Sequence, residues 1–156
     1  MHQNVAFMKS LLLIFLGGGT GSVLRYLLTI SIYRQGATNF PWGTFAVNIL
    51  GCILIGVFYT LTSRIHINND IRLMLTIGLC GGFTTFSTFS NESLQLLKSG
   101  LYPSFFTYII SSVVLGILGV MLGIWISESS KINIPPALYH IEQEGLKLHL
   151  SYKTLF

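Results

Sequence analysis

Residues 71–97 read IRLMLTIGLCGGFTTFSTFSNESLQLL, and their centre, Gly81-Gly82-Phe83-Thr84-Thr85-Phe86-Ser87-Thr88-Phe89-Ser90, decides how the chain is built. The stretch is long enough to cross a bilayer, which takes roughly 20 mostly apolar residues. Its centre nevertheless holds two glycines and five hydroxyl side chains in ten positions, a poor composition for uninterrupted helix. A break at that depth leaves backbone carbonyls unpaired, which is tolerated only inside protein or around water or an ion. The stretch therefore predicts a membrane helix broken near its middle, with function gathered at the break.

Three further apolar runs, at about 8–33, 40–62 and 104–126, are equally long. None shows the two-residue alternation of a barrel strand, so helices are the remaining way to satisfy the backbone in lipid. The expectation is an all-α integral membrane protein with four transmembrane helices. Composition agrees. Of 156 residues, 51% are hydrophobic and 9% charged, against about 25% charged in a soluble domain, and the mean hydropathy is +0.68. Lipid must cover much of the surface.

The connections are short and carry breakers such as Pro41, Gly100 and Pro103. The first apolar run is too long for a cleavable signal and continues into Arg25-Tyr26 without a small-residue cleavage site. After Ile126 the chain turns polar, with Pro135-Pro136 and three of the five acidic residues. Residues 1–127 thus read as a membrane domain and 128–156 as a polar tail, mobile or lying on the membrane surface.

The nine basic residues are scattered, which excludes a nucleic-acid footprint. Cys52 and Cys80 lie in apolar runs and read as small buried hydrophobes. His2, His66, His140 and His149 all fall outside the apolar runs, and no His, Cys or acid cluster has ligand spacing. An enzyme is not expected. Lys9, Arg64, Arg72 and Lys131 flank one membrane side and Arg34 and Lys98 the other. This weak bias suits insertion in both orientations or a modest preference for cytoplasmic termini.

Polar side chains inside the spans are costly and mark interior paths. The first span carries Gly17-Gly18-Gly19-Thr20-Gly21-Ser22, a seam for close helix approach. The Lys-Ser/Thr of a phosphate loop is missing. Arg25 either snorkels to the interface or supplies a fixed positive charge that concentrates anions. Asn48 either bridges two helices or offers its NH2 to an anion. Phe86 and Phe89, three apart, share a face, as core aromatics or as lining. Tyr108 and Ser112 align four apart on the fourth span, where Gly116, Gly119 and Gly123 continue as a packing seam. Hydroxyl, amide and aromatic-edge donors abound, while only Glu92 brings a carboxylate near a span. A cation or proton carrier would show an embedded acid, so this lining favours an anion.

Three segments, Gly18–Tyr26, Gly43–Gly51 and Gly78–Glu92, resemble the Fluc (CrcB) fluoride channel family. The similarity covers about Leu12 to Trp125. It implies a passive fluoride-selective channel that exports cytoplasmic fluoride, built as an antiparallel, dual-topology dimer with two pores, in a bacterial cell membrane. It places the pore at Asn48, Phe86, Phe89, Ser87, Thr88, Tyr108 and Ser112, with Arg25 and Glu92 as electrostatic residues at the mouths. It also implies a structural sodium ion at the dimer centre, held by backbone carbonyls of Gly81 and Thr84 from both subunits. The weak charge bias leaves open a homodimer or a heterodimer with a paralogue. Two other readings compete. A small four-helix dual-topology drug or cation exporter would need an acid in the first span, and none is there. A non-conducting assembly subunit would explain the glycine seams but not the inward amide and hydroxyls.

Overall fold

Four stretches form helices long and apolar enough to cross a membrane: Phe7–Tyr33, Trp42–Arg64, Asn69–Lys98 and Tyr102–Ser129. The computed structural model describes residues 2–33, 39–64 and 67–129, and no strand occurs among them. Helix α1 runs His2–Tyr33 and α2 runs Trp42–Arg64. The third span is divided into α3 (Asn69–Leu73), a π-helical stretch (Met74–Cys80), α4 (Gly81–Phe83) and α5 (Phe86–Lys98). The last span is the unbroken α6 (Tyr102–Ser129). The 23 residues of α2 rise about 35 Å, which matches a hydrocarbon core of about 30 Å. Helix α6 runs on past Ile126 through Ser129, and the rest of the proposed tail lies outside the described residues.

The break falls at Thr84 and Thr85. Thr84 has ψ 159° and Thr85 has φ −149°, ψ 110°, both extended. Helix restarts at once because the Thr85 side chain accepts the Thr88 N–H at 3.2 Å, the usual way a hydroxyl residue caps an exposed helix start. The turn into α6 is a Schellman motif. Gly100 takes φ 71°, while Leu101 N donates to Leu96 O at 3.0 Å and Gly100 N to Leu97 O at 3.1 Å. Only glycine adopts that φ without a Cβ penalty.

The spans pair through small residues. Helix α1 packs mainly on the third span, and α2 mainly on α6. A Cβ on Gly21 would fall on the Leu79 carbonyl, and one on Gly82 on the Gly18 carbonyl. In the second pair, a Cβ on Gly123 would fall on Ile53 O and one on Gly56 on Val120 O. Lipid supplies no hydrophobic force between helices, so such close backbone approach is what holds them. Large side chains point outward instead: Phe106, Ile110, Val113, Ile117, Met121 and Trp125 are all exposed along α6.

One end of the bundle is cross-tied by charge. Lys9 Nζ meets Asp70 Oδ2 at 3.1 Å, and Ser10 Oγ donates to Asp70 Oδ1 at 2.6 Å. Arg64, in the last turn of α2, reaches Glu128 at 3.9 Å and donates to the Ser127 carbonyl at 3.4 Å. These ties join the start of α1 to the third span and the end of α2 to the end of α6.

Candidate functional site

Asn48, on α2, faces the break. Its Oδ1 accepts the Thr85 N–H at 2.9 Å, and its Nδ2 donates to the Thr85 carbonyl at 3.4 Å. One side chain therefore holds both backbone groups of Thr85, and its N–H is one that the broken helix no longer serves. The helix-bridging reading of Asn48 is realised. The amide NH2 carries two hydrogens, and only one of them is used in these bonds.

The same bond alters the carbonyls upstream. A continuous helix would send the Thr85 N–H to the Gly81 carbonyl and the Thr88 N–H to the Thr84 carbonyl. Here the first goes to Asn48 Oδ1 and the second to Thr85 Oγ1. Gly81 and Thr84 each lose their helical donor. Gly81 is exposed, and a Cβ built on it would meet no atom within 4 Å.

A cleft of about 450 Å³ opens at this point. Asn48, Gly81, Thr84, Phe86, Phe89 and Ser112 all line it, together with Thr85 and both cysteines. The Phe86 and Phe89 ring centroids are 5.9 Å apart, with Phe86 80% exposed. Ser112 Oγ is buried and has no hydrogen-bond partner. Ser87 and Thr88 sit just beyond, on the first turn of α5. Thr88 Oγ1 accepts from Thr85 Oγ1 at 2.9 Å, which leaves its own hydrogen available.

Above the cleft lies a polar knot around Glu92. Thr44 Oγ1 donates to Oε1 at 2.8 Å, Tyr33 OH to the same oxygen at 3.4 Å, and Tyr108 OH to Oε2 at 2.9 Å. Three spans thus converge on one carboxylate. Tyr108 is fully buried because its ring is packed by Phe89, Phe40 and Phe45, at centroid distances of 5.0, 5.4 and 6.4 Å. Only its hydroxyl reaches a polar partner, as buried tyrosines require. Glu92 in turn floors a smaller cavity of about 250 Å³ lined also by Tyr33, Asn39, Phe40 and Ser99. Tyr108 therefore bridges the two cavities, touching Phe89 of the cleft through its ring and Glu92 through its hydroxyl.

The structure brings most of the residues singled out in the sequence into one column: Glu92 and Tyr108, then Phe89, Phe86, Asn48 and Ser112. Arg25 lines neither cavity, and its Nε is buried without a partner. The sequence reading did not single out Thr85, Thr44 or Tyr33. Thr44 stands four residues before Asn48 on α2, one turn away on the same face, and that spacing was a usable signal. Tyr33 and Thr85 meet their partners across long stretches of chain and gave none. Among the described residues no group of three His, Cys, Asp or Glu side chains gathers to hold a metal.

Residues 12–124 match the family model described as CrcB-like protein, Camphor Resistance (CrcB). A protein of Phocaeicola vulgatus named fluoride-specific ion channel FluC is 98% identical over 121 residues, which is 78% of this chain and 100% of that one. Proteins of the same name from Bacteroides fragilis and Flavobacterium psychrophilum are 50% and 47% identical, over 80% and 78% of this chain and 100% and 98% of their own.

Proposed function

Since the chain belongs to the CrcB family, with four spanning-length helices that make it a multi-pass membrane protein, we propose that it is a fluoride channel that lets the anion leave the cell passively. The observation that carries this reading is the unspent donor capacity at the break. Ser112 Oγ has no partner among the described residues, Asn48 has an unused amide hydrogen, and both line one cleft with Phe86 and Phe89. Fluoride is small and holds water tightly, so a path must replace its hydration with strong donors at close quarters. Amide and hydroxyl hydrogens do this, and the positive edge of an aromatic ring adds to it. Ser87 and Thr88 extend the donors to the start of α5, and Tyr108 extends them toward Glu92. Glu92 sets the field at the smaller cavity, and Arg25, which lines neither cavity, adds a more distant positive charge. The first span carries no acid of the kind a small exporter needs, and passive flow suffices, since neutral HF that enters a cell ionises inside and leaves an anion to be discharged.

The working unit in this proposal is an antiparallel dimer, with a second copy or a paralogue, in a bacterial plasma membrane. It has two pores, one on each side of the shared axis. The exposed Gly81 and Phe86 are the surfaces that a second subunit would cover. The Gly81 and Thr84 carbonyls, freed of their helical donors, are hard oxygen ligands of the kind that hold sodium where membrane helices unwind. Two from each subunit would surround one ion, whose charge in a low dielectric would steady four otherwise unpaired oxygens.

The test is fluoride efflux from liposomes that contain only this purified chain, read with a fluoride electrode, with chloride as control. Fluoride loss without chloride loss is the expected result. A folded protein that releases neither anion, alone or with a candidate paralogue added, would refute the channel reading.

A further inference from the structure

The bond from Thr85 N–H to Asn48 Oδ1 does more than fasten α2 to the third span. It decides which oxygen that N–H leaves free. Without Asn48, the Thr85 N–H has one close alternative, the Gly81 carbonyl one helical turn back, and helix formation itself favours that return. Asn48 wins the donor at 2.9 Å and holds the second Thr85 group with its NH2. Thr85 is thereby kept extended, at φ −149° and ψ 110°. Gly51, the next residue along the same face of α2, lies so close to Thr84 that a Cβ there would strike the threonine methyl, so the break is pressed against α2 at both residues.

We infer that Asn48 is a positioning residue for the carbonyl cluster of Gly81 and Thr84: it prepares the cation site from a neighbouring helix, and sodium affinity depends on it. This rests on the sodium reading given above and extends it. The pore amide and the cation site would then be one mechanical unit, because the side chain that offers a hydrogen to fluoride also keeps the Thr85 N–H from the Gly81 oxygen.

Sodium binding tests this without any flux measurement. The purified dimer is melted over a range of sodium concentrations, with choline making up the ionic strength, and the sodium concentration giving half the stabilisation is read. Asn48→Leu, which removes both bonds at similar volume, should raise that midpoint at least about tenfold, the worth of roughly one hydrogen bond. Asn48→Ala should do the same and stands in if the leucine variant does not fold. Asn48→Asp keeps the acceptor for Thr85 N–H and should bind sodium as tightly as the parent or tighter. Met121→Leu, on the exposed face of α6, should not move the midpoint. A parent midpoint in Asn48→Leu or Asn48→Ala, or a weakened one in Asn48→Asp, would overturn the inference. A parent protein with no sodium-dependent stabilisation would instead remove the sodium site itself, and the positioning role with it.

Discussion

The Glu92 knot predicts an unequal response to the removal of its three hydroxyls. Tyr108→Phe deletes the 2.9 Å donor to Oε2, which has no other donor among the described side chains, at a residue with no exposed surface. A hydrogen bond to a charged group contributes about 1.5–3 kcal/mol, and polar pairs between membrane helices average less, about 0.6 kcal/mol with a maximum near 1.7. Glu92 is half-exposed, so the expected loss is about 1–2 kcal/mol. Thr44→Val removes the 2.8 Å donor to Oε1 at a residue 3% exposed and should cost a similar amount. Tyr33→Phe removes a 3.4 Å bond at an exposed side chain, to an oxygen that Thr44 already serves, and should cost under about 0.5 kcal/mol. The assay is unfolding of each purified variant in mixed micelles of rising denaturing-detergent content, repeated in a Glu92→Gln background. Replacing the carboxylate should shrink the Tyr108→Phe loss by about half or more, since charge assistance roughly doubles such a bond. Equal losses for Tyr33→Phe and Tyr108→Phe, or a Tyr108→Phe loss unchanged by Glu92→Gln, would refute the idea that this carboxylate organises the knot.

Other outcomes follow from the same geometry. Asn48→Asp places a negative charge in the proposed anion path and should lower fluoride efflux at least about tenfold; normal efflux from a folded dimer would remove Asn48 from the pore. Gly123→Leu drives a side chain into the Ile53 backbone and should cost about 1–3 kcal/mol by overpacking, measured by the same detergent unfolding, whereas Met121→Leu on the exposed face should be neutral. Arg64→Met should shift stability by no more than about 0.5 kcal/mol through its ion pair, because the partners are 3.9 Å apart and 42% and 55% exposed; a larger loss that survives Glu128→Gln would point to its bond with the Ser127 carbonyl.

Much of the fold could be read from residue order, because lipid makes strong demands. Four apolar runs had to be helices, and most of the glycines in the two seams, such as Gly17, Gly21, Gly119 and Gly123, had to face other helices. The break was legible as a region, since Gly81-Gly82 and the hydroxyls after them are poor helix. Its exact place was not. The helix gives way at Thr85, where Asn48, thirty-seven residues earlier in the chain, takes the backbone N–H, and no local pattern reports a competitor that distant. The π-helical stretch Met74–Cys80 likewise left no trace in a sequence that reads as ordinary apolar helix. Helix α1 begins at His2, ahead of the apolar run at 8, because its first turns extend beyond the hydrophobic run. For the candidate site, Asn48, Phe86, Phe89 and Ser112 stood out as polar or aromatic oddities, whereas the convergence of Tyr33, Thr44 and Tyr108 on Glu92 depends on how α1, α2 and α6 meet and appears only in three dimensions.

The glycine contacts between paired spans reverse the usual ranking of which positions matter. In a water-soluble protein the bulkiest side chains fill the interior and tolerate change least, while small exposed ones drift freely. Here the smallest residues carry the joints, backbone against backbone, and the bulkiest face outward along α6, where one oily group serves a lipid as well as another. A complete substitution survey of this chain should therefore look inverted: Gly21, Gly56, Gly82 and Gly123 irreplaceable, even by alanine, and the outward apolar side chains of α6 exchangeable for any of similar oiliness. Such a protein can be adapted to bilayers of different thickness and composition by rewriting its exterior while the two helix pairs stay as they are.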